Sequence, residues 1–186
     1  MQPELWDLSQ SRSQLSLKIK LARAFWALTR RLLFAWTPKQ FFNGWRIALL
    51  RAFGAKIGRG CVVCGSVKVL QPWRLELADY VWIGEECDVY SYDWIRIGPH
   101  SVISQRTFLC TGSHDWTKRD FPLVHKPIEI GGQVWINSEC FVGPGVHIGE
   151  GAILLPRSVA AKDQPEWTFS GGQPSRPIKP RPRASN

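Results

Sequence analysis

An aliphatic side chain returns every six residues through most of this 186-residue chain. Ile130, Ile136, Val142, Ile148 and Leu154 keep the period without slipping. Earlier runs repeat it as Ile57, Val63 and Val69, then Leu77, Ile83 and Val89, then Ile97, Ile103 and Leu109. A period of six matches neither the helical repeat of about 3.6 nor the roughly two-residue alternation of an ordinary strand. Fixed short periods mark a solenoid. Period six predicts three short strands per coil, each sending one aliphatic side chain inward and bending at a small residue that tolerates φ > 0. Glycine directly follows Ile130, Val142 and Ile148. The steps from Val69 to Leu77 and from Val89 to Ile97 are eight residues, so two residues are added at a corner each time.

Charge divides the chain into three stretches. Residues 1–56 carry ten basic and two acidic groups, residues 57–170 ten basic and thirteen acidic, and residues 171–186 four basic and none acidic. The net charge of +9 thus describes cationic ends on a mildly acidic repeat body. No helix-turn-helix, RNP or zinc-finger pattern accompanies those ends, which argues against nucleic acid as the partner. Cys61, Cys64, Cys87, Cys110 and Cys140 include one CxxC but no second pair or nearby histidine to complete a zinc site. They read as small packing residues of a cytosolic protein. The first fourteen residues lack the apolar core of a secretory leader. No apolar run reaches the length of about 18 residues that a membrane span requires.

Residues 1–13 read as a flexible leader. From Leu15 to Trp36, Leu15, Ile19, Ala22, Trp26 and Leu33 recur at helical spacing, while Lys18, Lys20, Arg23, Arg30 and Arg31 take much of the remaining surface. Thr37 before Pro38 reads as an N-cap and a first helical proline. A second helix is then predicted through Phe41, Trp45, Leu49 and Phe53, stopping at Gly54. Two readings fit this 1–56 segment: a basic amphipathic surface for an anionic membrane leaflet, or helices whose apolar faces cap the first coil. Both hold if they use different faces.

The repeat body is expected over residues 57–162, followed by an extended basic tail over 163–186. Residues 110–127, CTGSHDWTKRDFPLVHKP, break the ladder between Leu109 and Ile130 and read as a loop thrown out of a coil. Loops on rigid scaffolds are where chemistry is usually placed. His114 stands at the start of this one, and an imidazole with an ordinary pKa of about 6.5 can accept a proton at neutral pH. A loop histidine can equally be inert. His100 and His147 fall inside repeat hexads as exposed coil positions. His125, followed by Lys126 and Pro127, reads as a structural return.

The 130–163 stretch, with VWINSECFVGPGVHIGEGAILLPRSVAAKD, resembles the hexapeptide-repeat acyltransferases. Within them, LRAFGAKIG, PWRLELADYVWIGEECDVYSYDWIRIG, VISQRTFLCTGSHDW and FPLVHKPIEIG resemble acetyltransferases of colanic acid and related exopolysaccharide synthesis. The likeness covers roughly residues 15–180, and TGSHDW is its most specific piece. It implies an all-β solenoid, a left-handed parallel β-helix, working as a homotrimer with active sites between subunits and acetyl-CoA as co-substrate, without a metal. It places the catalytic histidine at His114. It also implies that Ser138 and Ala160 meet the pantetheine arm while Lys162, Arg176 and Lys179 meet phosphates. The tail GGQPSRPIKPR departs from the family's G-N-P-A-K-x-I, with Gln173 for asparagine and Ser175 for alanine. Many relatives place an asparagine opposite the histidine, whereas this chain reads VYSYDW. Asp93 is left to orient His114 across a subunit boundary, to bind an acceptor hydroxyl, or to stand as a solvated corner carboxylate.

The leading expectation is a cytoplasmic O-acetyltransferase, peripheral at the inner membrane face, acting on a sugar hydroxyl of a lipid-linked repeat unit or nascent polysaccharide. His114 would take the hydroxyl proton as the oxygen attacks the thioester. A covalent route through Cys110 competes, although Cys110 occupies a hexad position favoured by glycine and reads as packing. Two other classes stand beside this one. A non-catalytic β-helix scaffold would not need the histidine loop. A carbonic-anhydrase-like metalloenzyme needs three converging histidines, and among His100, His114, His125 and His147 no two lie four or five apart.

Overall fold

The computed structural model describes residues 6–11, 15–38 and 41–183. Two helices, α1 (Leu17–Thr29) and α2 (Asn43–Ala52), precede a parallel β-helix. Its first coil is β1 (Lys56–Ile57), β2 (Val62–Val63) and β3 (Lys68–Val69), and its second β4 (Leu75–Leu77), β5 (Trp82–Ile83) and β6 (Asp88–Tyr90). The third is β7 (Ile95–Ile97), β8 (Val102–Ile103) and β9 (Phe108–Cys110). A hairpin of β10 (Gly112–His114) and β11 (Leu123–His125) is then thrown out. The coils resume as β12 (Ile128–Ile130), β13 (Trp135–Ile136) and β14 (Phe141–Val142), then β15 (His147–Ile148), β16 (Ile153–Leu154) and β17 (Val159–Ala160). β18 (Thr168–Gly172) and β19 (Ser175–Pro180) close the chain. Three sheets form the prism: A by β1-β4-β7-β12-β15, B by β2-β5-β8-β13-β16-β18-β19, and C by β3-β6-β9-β14-β17.

All fourteen hexad residues expected to point inward do so, and none is more than 9% exposed. Each pairs with its counterpart one coil on, as Val63 with Ile83 and Ile136 with Leu154. Two residues before most rungs a second, smaller side chain is buried: Cys61, Cys87, Ser101, Thr107, Cys140 and Ser158 hold such places. Three of the five cysteines are thereby explained as packing, and all five are buried and free.

The bend differs from the expectation. Glycine after a rung is set by crowding: a Cβ on Gly149 would stand 2.4 Å from Glu166 N, and one on Gly98 would stand 2.5 Å from the Gly131 carbonyl carbon. The left-handed residues instead come three places before a rung, and most are not glycine: Tyr80, Glu86, His100, Arg106, Gln133, Glu139 and Arg157 all have φ between 55 and 60°. The repeated corner overrides the steric cost that such residues ordinarily bear.

The hydrogen bonds that the rung carbonyls accept between coils all come from the preceding coil. The residue after each rung donates its N–H to the rung carbonyl of the next coil, as Gly58 to Leu77 (2.8 Å) and Leu70 to Val89 (3.0 Å). The rung carbonyls of the first coil have no earlier coil to serve them, and side chains of the N-terminal segment take that place. Arg51 Nη2 donates to Ile57 O (2.6 Å), Arg46 Nε to Val63 O (2.7 Å) and Trp26 Nε1 to Val69 O (2.7 Å). Trp26, Phe34, Arg46 and Leu50 are fully or almost fully buried beneath the helices. The N-terminal segment therefore caps the β-helix.

Helix boundaries shift from the sequence reading. α2 starts at Asn43, and Thr37 is no N-cap: its hydroxyl donates to Phe34 O (2.6 Å) and accepts from Arg46 Nη1 (2.9 Å). Leu33, expected on the buried stripe, is 42% exposed because the helix widens after Thr29, and Phe34 takes its place. The described part of the leader, residues 6–11, is docked on the 110–127 insertion. At the other end the extended tail folds back, β18 joining β16 in parallel and β19 pairing antiparallel with β18. No helix among the described residues is long and apolar enough to cross a membrane.

Ile136 is fully buried between Ile103 and Leu154. Ile136→Ala is expected to cost about 2–5 kcal/mol in a denaturant melt, whereas Trp135→Phe on the outward side of the same strand should cost under about 1.5 kcal/mol.

Candidate active site

One edge of the prism, where sheet C turns into sheet A, carries every departure from the six-residue period. The turn containing Pro72–Arg74 lies there, as do Ser91 to Asp93 and the whole β10–β11 hairpin. Insertions at one corner stack above one another and build a wall without disturbing the rungs. Asp93 N–H donates to Thr111 Oγ1 (3.0 Å), and the Thr111 hydroxyl donates to Tyr90 O (2.8 Å), so the hairpin's base is tied to the corner one coil above.

His114 ends β10 and is exposed. Its Nδ1 lies 2.8 Å from Phe121 O. A carbonyl only accepts, so Nδ1 carries the proton, and in the neutral ring Nε2 keeps the lone pair. The imidazole also stacks on the Phe121 ring, with centroids 4.5 Å apart and an 8° tilt. Phe121 has φ of 47°, the left-handed conformation that sits behind this arrangement. Trp6 also packs on Phe121: its ring is 4.6 Å from Phe121, its Nε1 donates to Trp116 O (2.8 Å), and Asp7 N–H donates to Arg119 O (2.9 Å). Nothing in the sequence pattern marks Trp6 as a support of the loop, and the flexible leader expected over residues 1–13 gave it no role; its aromatic type in a polar stretch is the one signal that could have found it.

Within the chain, Asp93 meets His125. Its Oδ2 receives His125 Nδ1 (2.8 Å), its Oδ1 the Trp94 N–H (2.8 Å), and Arg74 stands 4.0 Å away. Burial pushes the Asp93 carboxyl up, but the bonds from His125 and Trp94 and the nearby Arg74 charge outweigh it and hold the group below its ordinary value. His125, read from sequence as a mere return, is thus a carboxylate-oriented imidazole. The hairpin register pairs His114 with Leu123 and Gly112 with His125. His114 and His125 are therefore diagonal neighbours on one face of the ribbon, roughly 7–8 Å apart at the backbone.

The residues assigned to the cofactor divide. Lys162 and Arg176 line one cleft of about 570 Å³ together with Ala161, Asp163, Gln164, Pro174, Ser175 and Pro177. This cleft opens on the same prism edge as His114, two coils further on, which at the usual strand spacing is roughly 10 Å. Ala160 points its methyl into the core, leaving only backbone to the surface. Ser138 lies at the turn between β13 and β14, a different corner, where its carbonyl accepts Arg157 N–H (3.0 Å). Lys179 sits over the Phe169 ring at 5.1 Å, outside the cleft. Cys110 is buried, which pushes its thiol up, and it donates to Gly112 O (3.2 Å). Among the described residues no group of three His, Cys, Asp or Glu side chains is placed to hold a metal ion.

A β-helix of hexads whose single long insertion presents an imidazole beside a cationic cleft is the architecture of the hexapeptide-repeat acyltransferases. No family model matches the chain. It is 43% identical over 156 residues to the colanic acid biosynthesis acetyltransferase WcaF of Escherichia coli K12, covering 84% of this chain and 85% of that one. A hexapeptide-repeat acetyltransferase of Vibrio cholerae, solved with acetyl coenzyme A, superposes with a TM-score of 0.83 at 25% identity over 92% of this chain and 93% of the other. A galactoside acetyltransferase solved with coenzyme A shares the fold with a TM-score of 0.82 at 20% identity, over 90% of this chain and 84% of the other. The chain belongs to the hexapeptide-repeat acetyltransferases, in the WcaF-like family of colanic acid biosynthesis acetyltransferases.

Because the folded pKa of Asp93 lies below its ordinary value of 3.8, its stabilisation is complete above that value and is lost as pH falls through the lowered one. The stability gap between the wild type and Asp93→Asn should close as pH falls below 3.8 through the lowered value, read by thermal melts across the acid range.

Proposed function

We propose that this acetyltransferase moves the acetyl group of acetyl-CoA to a sugar hydroxyl of a lipid-linked repeat unit or nascent polysaccharide of the colanic acid kind, with His114 as general base. The observation that carries this reading is the Nδ1 bond to the Phe121 carbonyl, since it fixes the tautomer a base requires. Nε2 accepts the proton of the acceptor hydroxyl as that oxygen bonds to the thioester carbonyl carbon. When the carbon–sulfur bond breaks, the departing thiolate recovers the proton from the imidazolium, and no other reactant is needed. A positioned base contributes about 10²–10⁴ in rate, and holding both substrates on one prism edge supplies more. Lys162 and Arg176 suit the phosphates of the donor, being cationic and lining one cleft. The oriented His125, with its own Nε2 free, suits a second hydroxyl of the acceptor sugar.

Direct transfer is favoured over a Cys110 acyl-enzyme. A thiol that is buried, raised and already donating to a backbone carbonyl is a poor nucleophile. The outward faces support a homotrimer. Sheet A presents the ladder Lys56, Glu76, Arg96 and Glu129, suited to water. Sheet B presents Trp82 and Trp135, and sheet C presents Phe108 against Phe141 at 5.5 Å, suited to neighbouring copies. A scaffold role would leave the fixed imidazole tautomer without purpose.

His114→Ala should lower kcat for thiol release from acetyl-CoA by about 10²–10⁴ with a saccharide acceptor, leaving the melting temperature and CoA binding by calorimetry unchanged. Cys110→Ala should retain turnover within a few-fold. Trp6→Ala is expected to lower kcat with KM for acetyl-CoA unchanged, because Trp6 supports the Phe121 platform and touches neither substrate. Full activity in the His114 variant would remove the assigned base.

A further inference from the structure

α1 has two apolar faces, and the cap uses only one. Trp26, Thr29 and, beyond the helix, Phe34 are buried against the first coil. On the far side Leu17, Leu21, Phe25, Leu28 and Leu32 are 72, 62, 64, 56 and 57% exposed. These residues step by four, four, three and four, which is a single stripe along a helix. Trp36 (62% exposed) extends the stripe, and its ring lies 6.0 Å from that of Phe42. The widened turn at Arg30–Phe34, closed by Ala35 N–H to Arg30 O (2.8 Å), keeps both faces in phase. In an unbroken α-helix Phe34 would lie about 80° around from Trp26, and the added residue brings it back to the buried side.

Cations flank the stripe on both sides. Each residue turns the helix by about 100°, so Lys18 lies on one side of it while Lys20 and Arg31 lie on the other, and all three are exposed. From residue 8 to residue 75 the chain has thirteen basic groups and no acidic one. We infer that the outer face of α1, from Leu17 through Trp36, docks in the plane of an anionic lipid surface, its apolar stripe entering the headgroup boundary and its lysines and arginines meeting the lipid charges. The charge pattern selects this occupant over a second copy of the chain, because two such faces would bring cationic rims together. The inference goes beyond acetyl transfer and stands without it.

The test is sedimentation of the full chain with vesicles of neutral phosphatidylcholine, alone or mixed with phosphatidylglycerol. The wild type should pellet with the mixed vesicles at low salt and be released by high salt. Lys18→Gln/Lys20→Gln/Arg31→Gln should weaken that partition about 10²-fold at low salt. Leu17→Glu/Leu21→Glu/Leu28→Glu should abolish it at any salt, with melting temperature and thiol release on a soluble saccharide unchanged, since these side chains are outside the cap and the site. Equal pelleting with neutral vesicles, no pelleting with anionic ones, or a stripe variant that still pellets would overturn the inference. So would a stripe variant whose native mass falls while the wild type ignores vesicles, because a second copy would then own the face.

Discussion

The direction in which the rung carbonyls are served, each from the coil before it, is what the rest of this molecule depends on. Every coil offers N–H groups to the next, so only the first coil is left with three rung carbonyls that no strand can satisfy. Leaving one buried polar group without a partner costs about 1–3 kcal/mol, and an open sheet edge invites pairing with other chains. Arg51, Arg46 and Trp26 resolve both problems, one for each sheet. Arg46 is fully buried for this purpose, which pulls its pKa down by desolvation, and its guanidinium is held by Thr37 and Pro38 as well. A charged group in the core is tolerated because several carbonyl and hydroxyl oxygens surround it.

The same stacking rule explains where the chemistry can sit. A solenoid tolerates extra residues only at corners, since an insertion within a strand would throw every later rung out of register. Here all of them fall on one edge. Two short insertions bring Arg74 and Asp93 to that edge, and the long one brings two imidazoles to it. Asp93 then orients His125, and a backbone carbonyl orients His114. The two rings are held by different devices yet present the same free nitrogen on one face of the ribbon.

The rungs were legible because burial alone selects them, and a period of six survives every change of side chain between isoleucine, valine and leucine. The bends were misread for a physical reason: a glycine required by the approach of the neighbouring coil looks the same in sequence as one required by φ. His114 could be singled out because it stands in a polar insertion. Its Phe121 platform and the Asp93–His125 contact could not, since both join residues seven to thirty-two positions apart through a hairpin register that no local pattern encodes. Among the residues assigned to the cofactor, Lys162 and Arg176 converge and Lys179 does not, because the C-terminal lining of the cleft is the stretch 174–177 and Lys179 lies beyond it, over the Phe169 ring.

A helix that is apolar on opposite faces is costly to leave in water, and the N-terminal segment joins that helix physically to the edge that carries His114. Arg23 on α1 donates to the Tyr92 hydroxyl (3.0 Å) and lies 4.9 Å over the Tyr92 ring. Tyr92 adjoins Asp93, whose carboxylate holds His125. A contact chain of four side chains thus runs from the helix to the ribbon that carries His114. Two coil spacings, roughly 10 Å, separate the first coil from the coil that throws out that ribbon. A surface bound to the outer face of α1 would lie within reach of a lipid-linked saccharide whose sugars extend that far. The cap and the candidate site are then joined in one arrangement: the helix that closes the first coil also contacts the edge that carries His114.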